Sequence, residues 1–191
     1  MLQLQSKLAT QGVTIFSTMT ALAHRLGALN LSQGFPDFPA PQALLEALSQ
    51  ATLAGHNQYP PGDGILGLRE QLALQFQQRD RLQLDPVTQI TITPGATIAI
   101  FCAIQACINV GDEVIIFDPS YDSYGPSVEL AGGKAVHIAL QAPDFKVNWQ
   151  QVKDLINDKT RMIVVNTPHN PTGTIWAKQD WLELIELIQD K

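Results

Sequence analysis

From Ile90 onward the chain alternates between two kinds of segment. Four short, mostly apolar runs, Ile90–Thr93, Glu113–Phe117, Ala135–Leu140 and Arg161–Val165, are each followed by a stretch with helical spacing. Runs this short read as buried strands rather than helices. Strands separated by a helix cannot pair as hairpins. They lie parallel, and the crossover helices cover the sheet. The expected fold class is α/β: a mainly parallel sheet with helices on both faces.

The helices expected between these strands are Ala96 to Asn109, Tyr124 to Ala131 and Trp149 to Asn157, and a last one starts near Ala177. That last helix runs to Lys191 without a capping signal, as expected of an interrupted element. Earlier in the chain, residues 1–29 read as an arm with helical spacing from Ile15 to Leu26. Asn30 to Phe38 is a short extended piece broken by Gly34 and Pro36. Pro41 to Ala54 reads as a helix with Leu44, Leu45 and Leu48 on one face, and Ile65 to about Arg81 as another. Between them, His56 to Gly67 is irregular, with Pro60, Pro61, Gly62 and Gly64.

Composition narrows the function. A net charge of -6 argues against nucleic acid or an anionic membrane as partner. No run reaches the roughly 18 apolar residues of a membrane span, and the start has no secretory h-region. The four histidines are scattered and there is no paired-cysteine motif, so no metal site is expected. Cys102 and Cys107 point roughly 140° apart on a helix and read as small buried hydrophobes, not a disulfide. A reducing cytoplasm is the expected location.

Three unusual loops follow strands: Thr93-Pro94-Gly95-Ala96-Thr97, Asp118-Pro119-Ser120-Tyr121, and Asn166 to Gly173. Ligands of open parallel sheets bind beyond the carboxyl ends of the strands, so three such loops on one rim suggest one site. Gly95-Ala96-Thr97 opens a helix, where free N–H groups and the dipole form an anion site; plain capping is the alternative. Tyr121 could stack on a flat heterocycle or simply pack. Asn170 could bond a phenolic oxygen or its own backbone. Gly34 could offer its N–H to a carboxylate, or mark a bend. Tyr59 could reach a phosphate, or be an ordinary loop tyrosine.

Taken in order, these clusters resemble the amino-terminal half of the class I/II aminotransferases, the fold-type I enzymes that use pyridoxal 5'-phosphate. The resemblance runs over the whole chain and is nearest to the methionine and kynurenine aminotransferase branch. It is carried by Asn30 to Phe38, by Gly111 to Ile115 and by Asn166 to Gly173. Ile98 departs from the polar or acidic residue usual in the family, with no catalytic consequence. The resemblance implies that Gly95, Ala96 and Thr97 bind the cofactor phosphate. Tyr121 would stack on its ring and Asn170 would bond the 3′-oxygen. Tyr59 would contact the phosphate held by the partner subunit of a homodimer. Gly34 would bind the substrate carboxylate, and Phe16 would line the side-chain pocket. It further implies cis bonds at Asp118–Pro119 and Asn170–Pro171, and a division into 1–45 (arm and part of a small domain) and 46–191 (first half of the large, cofactor-binding domain).

The family's Schiff-base lysine is expected beyond Lys191, so no catalytic residue is assigned here. The seven lysines present, Lys7, Lys134, Lys146, Lys153, Lys159, Lys178 and Lys191, lie in other contexts. The resemblance implies transfer of an amino group between an amino acid (methionine, large neutral or aromatic) and a 2-oxo acid, with this chain alone inactive. The alternatives are a C–S β-lyase of the same fold, and a non-catalytic fragment or half of a split enzyme. In the family the first large-domain strand lies across the sheet from the next three, so Ile90–Thr93 should lack neighbours, leaving exposed strand edges and apolar surface.

Overall fold

The computed structural model describes residues 6–8, 12–34 and 36–189. Two compact bodies are present. One is Val13–Pro94; the other is Gly95–Lys191 together with Met1–Gly12.

The second body is the expected parallel sheet. Its strands are β1 (Glu113–Asp118), β2 (Lys134–Ala139) and β3 (Thr160–Val164), in the order β2-β1-β3 with both pairings parallel. Val114, Ile115 and Ile116 in the central strand are completely buried, as a strand covered on both faces requires. The helices of this body are α4 (Ala96–Cys107), α5 (Tyr124–Leu130), α6 (Trp149–Leu155) and α7 (Lys178–Ile188). Because side chains alternate along a strand, β1 feeds two cores. Val114 and Ile116 pack with Ile104 and Ile108 at the end of α4 and with Tyr124 and Val128 of α5. Ile115 and Phe117 pack with Ile138, Leu140 and Val152, beside Trp149, Trp176 and Leu187. The expected helices on both faces are therefore present.

Local chemistry sets the helix ends. Asn148 caps α6 by accepting the Gln151 N–H at 3.2 Å. Asp180 joins two elements. One of its oxygens accepts the Ala177 N–H at 2.8 Å at the start of α7, and the other accepts the Trp149 indole N–H at 3.1 Å.

At the amino ends of the strands, Glu113 accepts from Lys134 at 3.0 Å and from the Asn157 amide at 2.8 Å. It thereby ties β1 to β2 and to the turn before β3. Asn157 first, then Lys134, hold its carboxyl below the usual glutamate range. A lowered folded value means the stabilisation is complete above the unfolded glutamate value and lost as the pH falls through the folded one. Glu113→Gln should therefore be less stable than the parent at pH 7, and the difference should shrink on acidification. Urea midpoints at neutral and acidic pH check this; an equal gap at both would rule it out.

The first body holds α1 (Ile15–Leu26), α2 (Gln42–Leu53) and α3 (Leu66–Asp80). Thr14 caps α1 by accepting the Ser17 N–H at 3.2 Å, and Gly27 closes it in the left-handed region at φ 59°. Leu44, Leu45 and Leu48 do share a face of α2, but they are exposed.

Two expectations need correction. Ile90–Thr93 forms no strand. A strand exists only when paired, and this segment instead follows the Asp63 loop, donating the Ile92 N–H to the Asp63 carbonyl at 3.0 Å. Cys102 and Cys107 are exposed rather than buried, because α4 is covered only along the side that carries Ile104.

The chain exposes 14515 Å². A compact chain of 20.9 kDa would expose roughly 9,000 Å², and two separately compact bodies of half that mass roughly 11,000 Å². The excess therefore lies within the bodies. It includes Ile98, Leu182, Ile185 and Ile188 beside the sheet and most apolar residues of α1 and α2. Both β2 and β3 are sheet edges.

Candidate functional site

α4 begins at Gly95, whose φ of 89° is a conformation that favours glycine. Among the described residues no side-chain cap bond is formed at this helix start. The N–H groups of Ala96 and Thr97 in its first turn have no intrahelical partner, and the positive end of the helix dipole adds to their pull on an anion. A Cβ placed on Gly95 would meet nothing within 4 Å, so the space before the helix is open.

The Thr97 hydroxyl lies 3.0 Å from the Tyr121 hydroxyl. This bond joins the start of α4 to the loop that leaves β1, across 24 residues of sequence. That loop opens with a cis Asp118–Pro119 bond, as expected. The Tyr121 ring meets the Tyr124 ring edge-on, with centroids 5.8 Å apart. Tyr124 is buried, and burial first, then Tyr121, raises its phenol above the ordinary value. It therefore stays a neutral donor at physiological pH.

The third loop is held from within. The Asn166 side chain accepts the Asn170 N–H at 2.7 Å, and Gly173, at φ 74°, donates to the His169 carbonyl at 2.7 Å. The buried His169 ring bonds the Thr172 hydroxyl through Nδ1 at 2.8 Å. Asn170–Pro171 is cis as expected, and Thr167–Pro168 is cis as well. The Asn170 amide side chain is exposed and makes no hydrogen bond among the described residues.

Tyr124, which touches Tyr121, and Asn166, which holds Asn170, line the same small hollow with Phe117, Val164 and His169. Sequence reasoning placed the three loops on one rim. It missed Tyr124 and Asn166 as their supports, although an aromatic residue at the start of the helix after Tyr121 was the available signal. No hydrogen bond joins Asn170 to Thr97 or Tyr121 among the described residues.

The remaining predicted residues belong to the other body. Phe16 on α1 is half-buried and lines an open hollow with Thr20, His24 and Gln33. Gly34 follows Gln33, is exposed, and has open space where a Cβ would stand. Asn30 ties this stretch to α1, donating to the Thr20 hydroxyl at 3.0 Å. Tyr59 is fully exposed (100%). Among the described residues no group of His, Cys, Asp and Glu could hold a metal, and no helix is long and apolar enough to cross a membrane.

Residues 27–191 match the family described as aminotransferase class I and II. This chain belongs to that family. It is 47% identical to the methionine aminotransferase of Escherichia coli over 96% of its own length and 48% of that protein's. It is 38% identical to a probable N-succinyldiaminopimelate aminotransferase of Mycobacterium tuberculosis, over 95% of this chain and 46% of that one. An E. coli crystal structure reported with a methionine aminotransferase function superposes with a TM-score of 0.94 at 46% identity, covering 99% of this chain and 50% of the other. The aspartate aminotransferase of Thermus thermophilus with maleate gives 0.89 at 32% identity, covering 100% and 51%. The fold is that of the fold-type I aminotransferases, and the chain spans about half the length of the curated relatives it matches.

Members of this family use pyridoxal phosphate. The donor set of this chain fits that group. Backbone N–H groups at an uncapped helix start suit a phosphate, a tyrosine ring held at its hydroxyl suits a flat ring, and a free amide suits a phenolic oxygen. Three of the described lysines, Lys134, Lys146 and Lys159, do not complete it. Lys134 is engaged with Glu113 at the amino ends of the strands, the rim opposite the site, and Lys159 precedes β3 at that same end. Lys146 faces Asp144 at 3.8 Å.

Proposed function

We propose that this chain is the first half of a pyridoxal-phosphate-dependent aminotransferase that moves an amino group between an amino acid and a 2-oxo acid. Methionine, large neutral or aromatic amino acids are the proposed donors. The observation that carries the reading is the Thr97–Tyr121 bond at the uncapped start of α4, in a chain of this family. The relatives named above are all aminotransferases, which favours transfer over elimination.

In this reading the N–H groups of Ala96 and Thr97 and the Thr97 hydroxyl bind the phosphate, and Gly95 keeps the approach clear. Tyr121, tethered through its hydroxyl, presents its ring to the pyridine. Asn170 donates to the 3′-oxygen from a turn that Asn166 holds closed. Gly34 offers its N–H to the substrate carboxylate, and Phe16 supplies an apolar wall for the side chain. Exposed Tyr59 reaches the phosphate bound by the second subunit of a cytoplasmic homodimer. Bound pyridoxal phosphate would supply a carbonyl that takes up the amino group and a ring that accepts the electron pair left on the substrate carbon when its proton is removed.

In the whole protein we assign residues 1–45 to the arm and part of the small domain, and 46–191 to the first half of the large domain. A second half, on the same or a separate polypeptide, would add its strand along β3. Met162, Ile163 and Val164 are apolar on both faces of that strand although it is an edge.

Titrating the chain with pyridoxal phosphate tests the reading, with quenching of the three tryptophans as the signal. Phosphate-dependent, dialysable binding is expected, with no stoichiometric adduct after borohydride. Equal binding of pyridoxal without its phosphate would sink the phosphate cradle. A stoichiometric adduct on any of the seven lysines would overturn the absence of a catalytic lysine.

A further inference from the structure

We propose that His137 is a positioning residue for Tyr121, acting through Asp118. His137 stands opposite Ile116 in the β1–β2 register, on the face that carries α4 and α5. Its Nδ1 lies 2.8 Å from Asp118 Oδ2. A carboxylate only accepts, so Nδ1 carries the proton. The other oxygen of Asp118 accepts the Ser120 hydroxyl at 2.7 Å. Both oxygens are thus engaged, one toward β2 and one toward the loop that holds Tyr121. The carboxylate cannot turn without breaking one of the two bonds, so the path of Pro119–Tyr121 is referenced to β2.

α5 packs Gly125 beside the imidazole, at a distance where even a side chain would make only ordinary contact. A Cβ there would come to 3.9 Å from its Cε1 and 4.0 Å from its Nε2. The pair is partly exposed, with side chains 47% and 36% accessible. A pair this open contributes little to stability. Its effect is geometric. Tyr121 has one tether at its hydroxyl, to Thr97, and this second one at the root of its loop. Only when both hold does the ring keep a fixed tilt.

This rests on the cofactor-site reading for its consequence, whereas the placement of the ring can be measured without the cofactor. The chain has three tyrosines, Tyr59, Tyr121 and Tyr124, so ring-labelled tyrosine gives a resolved NMR spectrum. The variants are His137→Ala, His137→Asn and Ser120→Ala. The asparagine amide puts a donor near the place of Nδ1. Expected is a displaced Tyr121 ring resonance in His137→Ala, a smaller displacement in Ser120→Ala, and a parent-like spectrum in His137→Asn, with Tyr59 unmoved throughout. Pyridoxal phosphate affinity should fall about fivefold in His137→Ala, the scale of one lost hydrogen bond, and recover in His137→Asn.

An unmoved Tyr121 resonance in folded His137→Ala overturns the proposal, as does an equal displacement in His137→Asn, which would mark a purely structural role. If His137→Ala does not fold, Ser120→Ala decides, and an unmoved Tyr121 there overturns it. A chain that binds no pyridoxal phosphate but shows the expected displacements sinks the cofactor reading and leaves the positioning role standing.

Discussion

Ile104→Ala should cost the Gly95–Lys191 body about 3 kcal/mol and release the start of α4 from the site. α4 is apolar over most of its length, yet Ile104, 1% exposed, is its one buried residue. Ile108, just past the helix, is its other deep contact with the sheet. Truncating Ile104 leaves a cavity against Val114, Ile116 and Val128, and nothing on the outer face of α4 compensates. Because Gly95, Ala96 and Thr97 ride on this helix, phosphate-dependent binding should weaken together with stability. Urea unfolding with a parallel ligand titration checks both. A stability loss with unchanged affinity in the folded variant would mean that the phosphate does not sit at this helix start.

The second large effect is expected at Arg69. It is 5% exposed and is the buried charged side chain of the Val13–Pro94 body. Its guanidinium pairs with Asp63 at 2.8 Å and donates to the Gly64 carbonyl at 3.1 Å and the Pro86 carbonyl at 2.7 Å. It fastens α3 to two loops at once. Among the described residues this body buries no large apolar side chain, so the arginine takes the place a hydrophobic cluster would normally fill. Arg69→Ala would strand the carbonyls and leave Asp63 unpaired. Asp63 is 43% accessible and can turn to water, so the cost comes from the stranded carbonyls, about 3 kcal/mol for two lost bonds to a charged donor, which by the free energy of a tenfold change is roughly a hundredfold faster amide exchange in α3. Arg69→Lys keeps the charge but not the fork and should fall between. Exchange in α3 that is unchanged in Arg69→Ala would show that the network carries no stability.

Most of the elements were legible because their signals are local. The extent of α1 follows from the helical spacing between Ile15 and Leu26. The central strand follows from an unbroken apolar run, and the rim loops from proline and glycine at strand ends. The failures share a cause. Ile90–Thr93 has strand composition, but pairing needs a neighbour, and here the segment bonds to Asp63 instead. Cys102 and Cys107 lie in an apolar helix, but burial needs something to cover them. Composition records what a residue is suited to, not what lies beside it.

At the site the same division holds. Gly95, Thr97, Tyr121 and Asn170 could be singled out from the chain because unusual residues at helix starts and strand ends are visible in sequence. That a threonine and a tyrosine 24 positions apart share a hydrogen bond could not. Nor could the grip of His137 on Asp118, since a lone histidine in a strand has no pattern to betray its partner.

What the sequence by itself determined is the alternation of strands and helices, their parallel pairing and the loops at the rim, since backbone conformation and side-chain period are properties of neighbours in the chain. Only the tertiary structure decided which faces are covered, which edges stay open and which side chains meet across the rim. Those outcomes depend on distances between residues far apart in the chain, and no local preference encodes a distance.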